Sequence, residues 1–504
     1  MTELRTMDDY LAHHAARTPD AEAAVEGAAR CSYAALDEKA TALARWLRSE
    51  GVTKGERVAV AAAPGLIYYT ALMATSRLGA IYVGVNPRYT EAEIAHVLRL
   101  TDPVLALVDT RSDAGLAARV EAVAPALPCH GIASLSALPG ADGGALPSEG
   151  SADDVAVIVF TSGSTGKPKG AALHHGGLID AAIGQHRLSD LWPDGAQARY
   201  LSNLPVNHVG GIMNLTLAGL VSGGALMFQP KFDPAAVLEI LAREKITTWL
   251  QVPAMFTLCV RQAEFAGLAL PHLRSIGIGG GPVSAKTLAA LRGLHADIFV
   301  EYGQTETMST LTWSDKTDPD EVLLNTVGRF DPRFETRIAD GSGQPVAPGA
   351  VGEVQARGSC TLRCYWNDAK ATGEVFTQDG WLHTGDLAMQ RPDGRVVLMG
   401  RAREMIKSGG YNVYPREVEK VLERHPAVAE VVVFGAPDEV YGERVEAAIE
   451  LRQTNARPDP AELETHCRAV LAGYKLPRRF HLRDGLPRLP NGKIDRNAVR
   501  RAPR

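Results

Sequence analysis

Residues 155–170 read VAVIVFTSGSTGKPKG, in which an apolar, β-branched segment leads directly into a loop of glycine, hydroxyl and lysine residues. Glycine lets the backbone approach a ligand closely, hydroxyls donate hydrogen bonds, and lysine supplies positive charge. The loop at 161–170 therefore predicts a polyphosphate site. It is not a Walker A loop, because its glycine spacing is two residues too short and Pro168 follows Lys167. Its composition also suits a surface linker, but the strand pattern before it and its two lysines argue against that alternative.

The size and charge of the chain narrow the class of protein. A chain of 504 residues is too long for one core and predicts two or more domains. A net charge of −5 gives no broad basic field for nucleic acid or an anionic membrane. Basic residues do cluster between 475 and 501. This cluster could be a solvated surface or a local binding site for an anion. We therefore expect small-molecule ligands and no nucleic acid.

Compartment signals favour the cytoplasm. The six cysteines are scattered without zinc or disulfide spacing, which favours a reducing compartment. The N-terminus, MTELRTMDDY, has no apolar core for a signal peptide. The uncharged stretches 58–76 and 201–229 are broken by Pro-Gly or by asparagine and histidine, so no membrane span is expected. The C-terminal Arg-Ala-Pro-Arg is not a peroxisomal signal.

Strand and helix patterns alternate through most of the chain. Short apolar segments bounded by turns predict buried strands at 58–63, 155–160, 225–228, 247–252 and 275–278. Helices are predicted at 35–50 and at 234–244, the latter with Asp233 as N-cap. The pattern predicts an α/β fold with layered, mostly parallel sheets, whose ligands bind at the carboxyl ends of strands.

The last hundred residues predict a smaller α+β unit. It contains helices at 415–424 and 460–472 and strands at 429–434 and 445–451, after a strand at 394–399. The connection Gly400-Arg401-Ala402-Arg403 lies between the two parts. We therefore predict an N-terminal domain at 1–401 and a C-terminal domain at 402–504.

Five further motifs follow the first loop in order. They are GIGGGPV at 277–283, YGQTET at 302–307, TGD at 384–386, GRAREMIKSGGYNVYPREVE at 400–419, and LPRLPNGKIDR at 486–496. Together with 161–170 the set resembles the adenylate-forming superfamily of acyl-CoA synthetases, peptide-synthetase adenylation domains and luciferases. The resemblance covers nearly the whole chain and implies a large N-terminal domain with a small mobile C-terminal domain.

The resemblance also assigns residues. ATP and AMP are expected at Thr161, Ser162, Gly163, Ser164, Thr165, Gly166, Lys169, Gly279, Gly280, Gly281, Pro282, Tyr302, Gly303, Gln304, Thr305, Asp386 and Arg401. Tyr302 offers a face to the purine, Asp386 accepts from the ribose hydroxyls, and Arg401 supports the same ribose. Mg²⁺ is expected at Glu306 and Thr161, because this hard cation prefers oxygen ligands. Each of these residues also has an ordinary structural alternative. Tyr302 could be a half-buried residue at a strand end, Glu306 could be a solvated surface carboxylate, and Asp386 could be a turn residue.

The catalytic residues implied by the resemblance are Lys493, Thr305 and His208. Lys493 bridges the acid carboxylate and the α-phosphate in the transition state, although locally it could be an ordinary loop lysine. After adenylate and pyrophosphate form, the C-terminal domain rotates to admit a thiol. Residues expected at the hinge and the CoA site are Arg403, Ser408, Gly409, Gly410 and Tyr474. Arg403 departs from the aspartate or lysine that is commoner in the family, which weakens the hinge assignment.

The acid pocket is expected around LPVNHVGGIMN, residues 204–214. Its expected lining residues are His208, Val209, Gly210, Met213, Met255, Gly281 and Met308. The segment has no carboxylate to pair an amino group, which disfavours amino acids, and no cation to pair a second carboxylate, which disfavours diacids. His208 matches a gate position of acyl- and aryl-CoA synthetases but could also be a structural histidine. An apolar monocarboxylic acid is therefore predicted, either a medium- or long-chain fatty acid or a cyclic or aromatic acid.

The predicted function is an ATP-dependent acid:CoA ligase with Mg²⁺ as cofactor. The chain ends soon after Lys493 without a carrier-protein domain, so the acceptor is expected in trans, most simply free CoA. One alternative is an acyl-AMP ligase that loads a carrier protein. Another is a non-catalytic nucleotide or acyl-ligand binding protein, which the presence of Lys493 and Glu306 argues against. The sequence leaves the acid and the oligomeric state open, although a homo-oligomer is compatible with it.

Overall fold

The computed structural model describes residues 4–111, 113–144, 146–161, 168–189, 197–452, 457–488 and 494–502. The chain divides into two compact units. The first unit contains Met1–Glu335 and Ala356–Leu382, and the second contains Thr336–Gln355 and His383–Arg504. The second unit thus includes a sheet that precedes residue 402, and the predicted boundary at 401–403 stays a prediction about where the C-terminal domain pivots.

The strands of the described ranges are numbered in chain order. They are β1 (Glu22–Glu26), β2 (Ala29–Ser32), β3 (Arg57–Ala61), β4 (Ile81–Val85), β5 (Leu105–Asp109), β6 (Cys129–Ile132), β7 (Val155–Thr161), β8 (Lys169–His174), β9 (Arg199–Ser202), β10 (Ala225–Phe228), β11 (Thr248–Gln251), β12 (Ser275–Ile278), β13 (Asp297–Gln304), β14 (Ser309–Trp313), β15 (Arg329–Phe330), β16 (Glu335–Ala339), β17 (Val351–Arg357), β18 (Cys364–Tyr365), β19 (Leu382–Gln390), β20 (Val396–Arg401), β21 (Ile406–Ser408), β22 (Tyr411–Val413), β23 (Val428–Asp438), β24 (Gly442–Leu451) and β25 (Arg479–Arg483).

The helices are numbered in the same way. They are α1 (Met7–Arg17), α2 (Tyr33–Ser49), α3 (Leu66–Arg77), α4 (Glu91–Thr101), α5 (Leu116–Val123), α6 (His175–Ser189), α7 (Ala218–Ser222), α8 (Pro234–Arg243), α9 (Pro253–Val260), α10 (Ala285–Arg292), α11 (Asp320–Asn325), α12 (Ala369–Val375), α13 (Pro415–Leu422), α14 (Pro460–Arg468) and α15 (Arg496–Arg501). A π-helix spans Gly210–Leu217, and 3-10 turns span Leu135–Ala137, Ala263–Gly267, Thr305–Thr307, Ala402–Glu404 and Gly473–Lys475. None of these helices combines the length and hydropathy needed to cross a bilayer.

Two large sheets build the first unit. The nine-stranded sheet has the order β15-β14-β13-β12-β11-β9-β10-β1-β2, and its strands from β13 to β1 are parallel. The seven-stranded sheet has the order β18-β8-β7-β4-β3-β5-β6, parallel from β7 to β6. Strands β4 and β5 are buried at every position, as expected for parallel strands covered on both faces. The predicted α/β fold class is therefore confirmed.

The second unit has two smaller sheets. Strands β16, β17, β19 and β20 form a four-stranded sheet, and β22, β21, β24, β23 and β25 form a five-stranded sheet. Helix α13 begins with Pro415 at its first turn and packs Val418 and Leu422 into the core between α13 and the five-stranded sheet. Helix α8 of the first unit likewise begins at Pro234, with the Asp233 side chain accepting from the Ala236 backbone N–H at 2.8 Å, as predicted.

Candidate active site

The carboxyl ends of the parallel strands bring several predicted motifs to one edge of the nine-stranded sheet. Strand β9 is followed by 204–214, β11 by Val252 and Pro253, β12 by the glycines at 279–281, and β13 ends at Gln304. Because these strands are parallel neighbours, their ends lie on the same side of the sheet. Segments up to about one hundred residues apart in sequence thus form one candidate site.

The glycine segment after β12 presents bare backbone. Gly279 is buried, whereas Gly280, Gly281 and Pro282 are exposed. Gly280 has φ +78°, a left-handed conformation that favours glycine. A side chain at Gly281 would meet nothing closer than 3.9 Å, so the space beside it is open. The segment can therefore accept a flat ring against its backbone.

The end of β13 and the turn after it carry polar groups. Tyr302 and Gln304 are half-buried, Gly303 is exposed, and Thr305 begins a 3-10 turn. The Gln304 backbone N–H donates to Thr307 Oγ1 at 3.1 Å, which fixes this turn. The geometry holds Thr305 and Glu306 immediately beyond a strand end, where the resemblance expects phosphate and metal.

Lys169 and Glu306 meet at a tyrosine that the sequence motifs did not identify. Strands β7 and β8 are antiparallel and pair Thr161 with Lys169, so these two residues lie side by side at the ends of the strands. The Lys169 Nζ lies 4.9 Å from the centre of the Tyr365 ring, and Tyr365 Oη donates to Glu306 Oε1 at 2.6 Å. Tyr365 therefore joins the base of the predicted phosphate loop to the predicted metal ligand. The predicted residues Ser162, Gly163, Ser164, Thr165 and Gly166 lie outside the described residues.

The predicted ribose residues form a pair within the second unit. Asp386 on β19 lies directly opposite Arg401 on β20, and Arg401 Nε is 2.8 Å from Asp386 Oδ1. The Asp386 side chain is only 10% exposed, whereas that of Arg401 is 41% exposed. The preceding Gly385 has φ +70° and donates its N–H to Glu353 Oε1 at 2.9 Å, which orients the turn. The structure therefore brings together two residues expected to share one ligand.

The segment predicted to hold the acid, residues 204–214, overlaps the start of the π-helix Gly210–Leu217. The His208 carbonyl accepts hydrogen bonds from the backbone N–H groups of Gly211 and Ile212, both at 3.1 Å. A side chain at Gly211 would come within 2.3 Å of the Pro205 carbonyl oxygen, whereas one at Gly210 would meet only Leu204 at 3.5 Å. Gly211 thus permits a close backbone contact, and Gly210 leaves space. π-Helices are rare and often occur at functional sites.

The methionines expected to line the acid pocket occupy different environments. Met213 and Met308 are fully buried, and Met308 packs against Gly177 of α6. Met255 is half-buried against an apolar cluster of Leu204, Leu215, Leu250, Phe299 and Trp313. Val209 is buried and His208 half-buried. Their roles toward a substrate stay predictions.

Glu301 is a buried carboxylate that lies outside the predicted motifs. Its Oε1 accepts from Asn214 Nδ2 at 2.6 Å, and its Oε2 accepts from Gln185 Nε2 at 3.2 Å and from Thr310 Oγ1 at 3.4 Å. Burial raises the pKa of the Glu301 carboxyl to about 7, against the lowering effect of these hydrogen bonds. The only signal in the sequence is an acid inside the apolar strand DIFVEYGQ.

The second unit contains an aromatic and basic groove. It is open to solvent and is lined by Ser408, Gly409, Tyr411, Tyr441, Arg444, Val445, Tyr474, Leu476 and Arg478. The rings of Tyr411 and Tyr474 stack with centroids 4.5 Å apart, and the Arg478 guanidinium lies 5.8 Å from the centre of the Tyr441 ring. The predicted residues Ser408, Gly409 and Tyr474 thus belong to one groove, and Gly410 is exposed beside it.

Lys493 lies outside the described residues, but the start of the next helix is well anchored. Arg496 Nε lies 2.9 Å from Glu404 Oε2, and Arg496 Nη2 lies 2.6 Å from Glu419 Oε1 on α13. Arg403, the expected hinge residue, is exposed and precedes Glu404 in a 3-10 turn. Arg496, three residues after Lys493, is therefore held by an ion pair to Glu404, which directly follows Arg403.

Bare glycine backbone, Thr305 and Glu306 lie at the carboxyl edge of the parallel strands of the nine-stranded sheet, and Tyr365 connects Glu306 to Lys169 of the seven-stranded sheet. Together they supply the donors, the carboxylate and the cation that suit a polyphosphate with its metal ion. Such an arrangement defines the class of nucleotide-using α/β enzymes.

The comparison with family models makes the class specific. Residues 11–366 match the model of the AMP-binding enzyme, and residues 417–493 match that of the AMP-binding enzyme C-terminal domain. The chain belongs to the AMP-binding enzyme family, the adenylate-forming superfamily, and is an enzyme of the AMP-forming acid–thiol ligase class. The resemblance seen in the sequence is confirmed.

Similar proteins include several ligases. A feruloyl-CoA synthase of an Amycolatopsis species is 33% identical over 98% of each chain. An indoleacetate–CoA ligase of Aromatoleum aromaticum is 32% identical over 98% of this chain and 97% of its own. A fatty acid–acyl-carrier-protein ligase of Streptomyces coeruleorubidus is 32% identical over 99% and 96%. The structure of an o-succinylbenzoate coenzyme A synthetase of Bacillus subtilis with ATP and magnesium is 28% identical, with a TM-score of 0.86 over 97% and 99%.

Proposed function

We propose that this protein joins an apolar monocarboxylic acid to coenzyme A in two steps that share one site. The carboxylate attacks the α-phosphorus of ATP, which gives an acyl-adenylate and releases pyrophosphate. The CoA thiol then attacks the acyl carbon, which gives the thioester and AMP. The observation that carries the proposal is the convergence of 204–214, 279–281 and 302–306 at one sheet edge.

Each side chain has a role set by its charge and position. Lys169 and the loop after Thr161 hold the β- and γ-phosphates, because they bring positive charge and donors to the end of β7. Tyr302 and the glycines at 279–281 hold the adenine between a ring and bare backbone. Asp386 and Arg401 hold the ribose. Lys493 stabilises the negative charge that develops between the carboxylate and the α-phosphate.

Magnesium fits the donor chemistry at Glu306. The described residues contain no group of three or more histidine, cysteine, aspartate or glutamate side chains that could hold a metal ion. A single carboxylate with a threonine hydroxyl suits Mg²⁺, which is usually bound by one or two carboxylates together with phosphate oxygens and water. Bound there, Mg²⁺ would neutralise charge on the phosphates. Tyr365 keeps one oxygen of Glu306 engaged and so orients the other.

A panel of carboxylic acids tests the proposal. Pyrophosphate release is measured for fatty, cyclic and aromatic acids, with and without CoA, and the thioester is identified by mass. We expect acid-dependent pyrophosphate release and a CoA thioester with at least one aromatic or fatty acid. Acid-dependent release without any CoA thioester, but with transfer to a carrier protein, would instead establish the carrier-loading function of the Streptomyces coeruleorubidus relative.

The groove of the second unit supports CoA as the acceptor. Exposed tyrosine faces can stack on an adenine, and Arg444 and Arg478 bring cations to the same groove. We propose that this groove, beside Ser408 and Gly409, receives the nucleotide part of CoA. The assignment concerns the second step alone.

Replacing Arg478 by alanine is expected to raise KM for CoA about tenfold, because one charge-assisted hydrogen bond is worth about 1.5 kcal/mol or more. ATP–pyrophosphate exchange in the absence of CoA should keep its rate. Arg424→Ala, an exposed arginine of the same unit outside the groove, serves as the control. An unchanged KM for CoA in Arg478→Ala would remove the groove from the CoA site.

A further inference from the structure

The turn that carries Asp386 is tied to strand β17, the neighbour of β19 in the four-stranded sheet. The Gly385 backbone N–H donates to Glu353 Oε1 at 2.9 Å, and Thr384 Oγ1 donates to the Val354 carbonyl at 2.6 Å. Thr384 Oγ1 also accepts from the Asp386 backbone N–H at 3.1 Å. The turn is therefore held by two consecutive residues of β17.

The conformation of Gly385 explains why a side chain takes its N–H. Its φ of +70° lies in the left-handed region, and a glycine of this kind inside a strand marks a departure from the regular ladder of hydrogen bonds. A backbone N–H that is left without a partner away from water costs free energy. The Glu353 carboxylate supplies the partner, so its position fixes how the backbone enters Asp386.

Glu353 is itself oriented through its other oxygen. His383 Nδ1 lies 2.7 Å from Glu353 Oε2, and because a carboxylate can only accept, Nδ1 carries the hydrogen. Gln355 Nε2 also donates to Oε2, at 3.4 Å. Arg337 Nε donates to Gln355 Oε1 at 2.7 Å, which fixes the direction of the Gln355 amide. With the Gly385 N–H, three donors hold the Glu353 carboxylate in one orientation.

The Asp386 carboxylate depends on the backbone of this turn. Arg401 Nε lies 2.8 Å from Asp386 Oδ1, and Arg401 Nη1 donates to the Thr384 carbonyl at 3.1 Å, so the arginine is fitted to the same turn. The Asp386 side chain is largely buried and has only two torsions, so its direction follows its backbone closely. A shift of the Gly385 peptide would therefore turn the carboxylate as well.

We propose that Glu353 is a positioning residue for ATP, and that it sets the direction of the Asp386 carboxylate toward the ribose hydroxyls through the Gly385 N–H. This inference rests on the proposed function, in which Asp386 holds the ribose. Loss of Glu353 then weakens recognition of the ribose hydroxyls more than it weakens binding of the rest of ATP. A residue that only stabilises the sheet would affect all nucleotides alike.

Nucleotides that lack one ribose hydroxyl test this role. The dissociation constants of ATP, 2′-deoxyATP and 3′-deoxyATP are measured by isothermal titration calorimetry with Mg²⁺, which requires no knowledge of the acid. We expect the wild-type enzyme to bind ATP about tenfold more tightly than at least one of the deoxynucleotides, because a hydrogen bond to a charged acceptor is lost. This preference should fall to about threefold in Glu353→Gln, whose amide oxygen can still accept the Gly385 N–H, and close to one in Glu353→Ala.

A double-mutant cycle separates action through Asp386 from an independent effect. Glu353→Ala should weaken ATP binding about tenfold in the wild-type background but by less than about twofold in Asp386→Ala, because the carboxylate that it positions is then absent. Additive losses in the double variant would contradict the inference.

Asp340→Ala is the matched control. Asp340 lies in the turn after β16 of the same unit, and its Oδ1 accepts from the backbone N–H groups of Ser342 and Gln344 at 2.9 and 3.0 Å. The variant removes the same kind of carboxylate-to-backbone hydrogen bond from a different turn. We expect the ratios between ATP and the two deoxynucleotides to stay at their wild-type values.

Two further results would overturn the inference. A wild-type ratio near one for both deoxynucleotides needs no variant and cannot be confused with misfolding. Equal loss of affinity for all three nucleotides in Glu353→Gln and Glu353→Ala, with unchanged ratios, would show that Glu353 only supports the sheet. In both cases ATP binding and pyrophosphate release with some acid leave the proposed function standing, whereas a wild-type enzyme that binds no ATP overturns the proposed function itself.

Discussion

Replacing Lys493 by alanine is expected to slow acyl-adenylate formation by about 10²- to 10³-fold, the usual loss when one preorganised donor to a developing charge is removed. The ammonium group is proposed to lie between the carboxylate and the α-phosphate only when the C-terminal domain is closed. ATP affinity should change little, because the β- and γ-phosphates are assigned to the loop after Thr161. The measurement is ATP–pyrophosphate exchange at saturating acid.

Measuring the second half-reaction distinguishes a specific role of Lys493 in adenylation from a general loss of enzyme structure. Chemically prepared acyl-adenylate with CoA should give thioester at a rate close to wild type in Lys493→Ala, because the thiol attack does not use this lysine. Lys370→Ala, at a lysine side chain that is 88% exposed on the first unit, controls for loss of a surface charge. Unaltered exchange in Lys493→Ala would show that the lysine has no part in adenylation, which is the behaviour expected of a non-catalytic binding protein.

Replacing Asp386 by alanine is expected to raise KM for ATP about 10- to 100-fold. A hydrogen bond to a charged acceptor is worth about 1.5–3 kcal/mol, and the ribose offers two hydroxyls to one carboxylate. Arg401 would lose its partner at 2.8 Å, but its side chain is 41% exposed, so water can solvate the charge. The KM for the acid should change much less than the KM for ATP.

Asp393 provides the control for this experiment. It lies in the turn between β19 and β20, and its Oδ1 accepts from the Arg395 backbone N–H. Asp393→Ala tests whether any carboxylate of the hairpin lowers ATP affinity, and we expect no effect on KM. If Asp386→Ala binds ATP as tightly as the wild-type enzyme, the ribose assignment of this pair is wrong.

Local patterns were enough to predict much of the architecture. Strands at 225–228 and 275–278 have the predicted limits, because apolar, turn-bounded runs in parallel sheets leave little choice of end point. Helix α8 begins where Asp233 and Pro234 predict it. Strand β23 runs from Val428 to Asp438, beyond the predicted 429–434, because pairing with β24 extends it past its apolar part.

Contacts between distant segments could not be predicted in the same way. Tyr365 reaches Glu306 across 59 residues, and Asn214 reaches Glu301 across 87. No local periodicity encodes either pair. The π-helix carries Asn214 toward Glu301, and its Gly211 backbone lies close to the Pro205 carbonyl oxygen six residues earlier. The sequence motifs therefore led to expectations for the nucleotide-binding residues, but they carried no signal for the contacts of the buried Glu301 carboxylate.

The ion pairs of Arg496 bear on how the C-terminal domain can move. Arg496 follows Lys493 by three residues, and its partner Glu404 follows Arg403 by one. A rotation about Arg403 would carry Glu404, Arg496 and α13 together as one stiff body. Lys493 would then move together with the C-terminal domain when the domain rotates. The residues that follow the lysine would need no separate rearrangement.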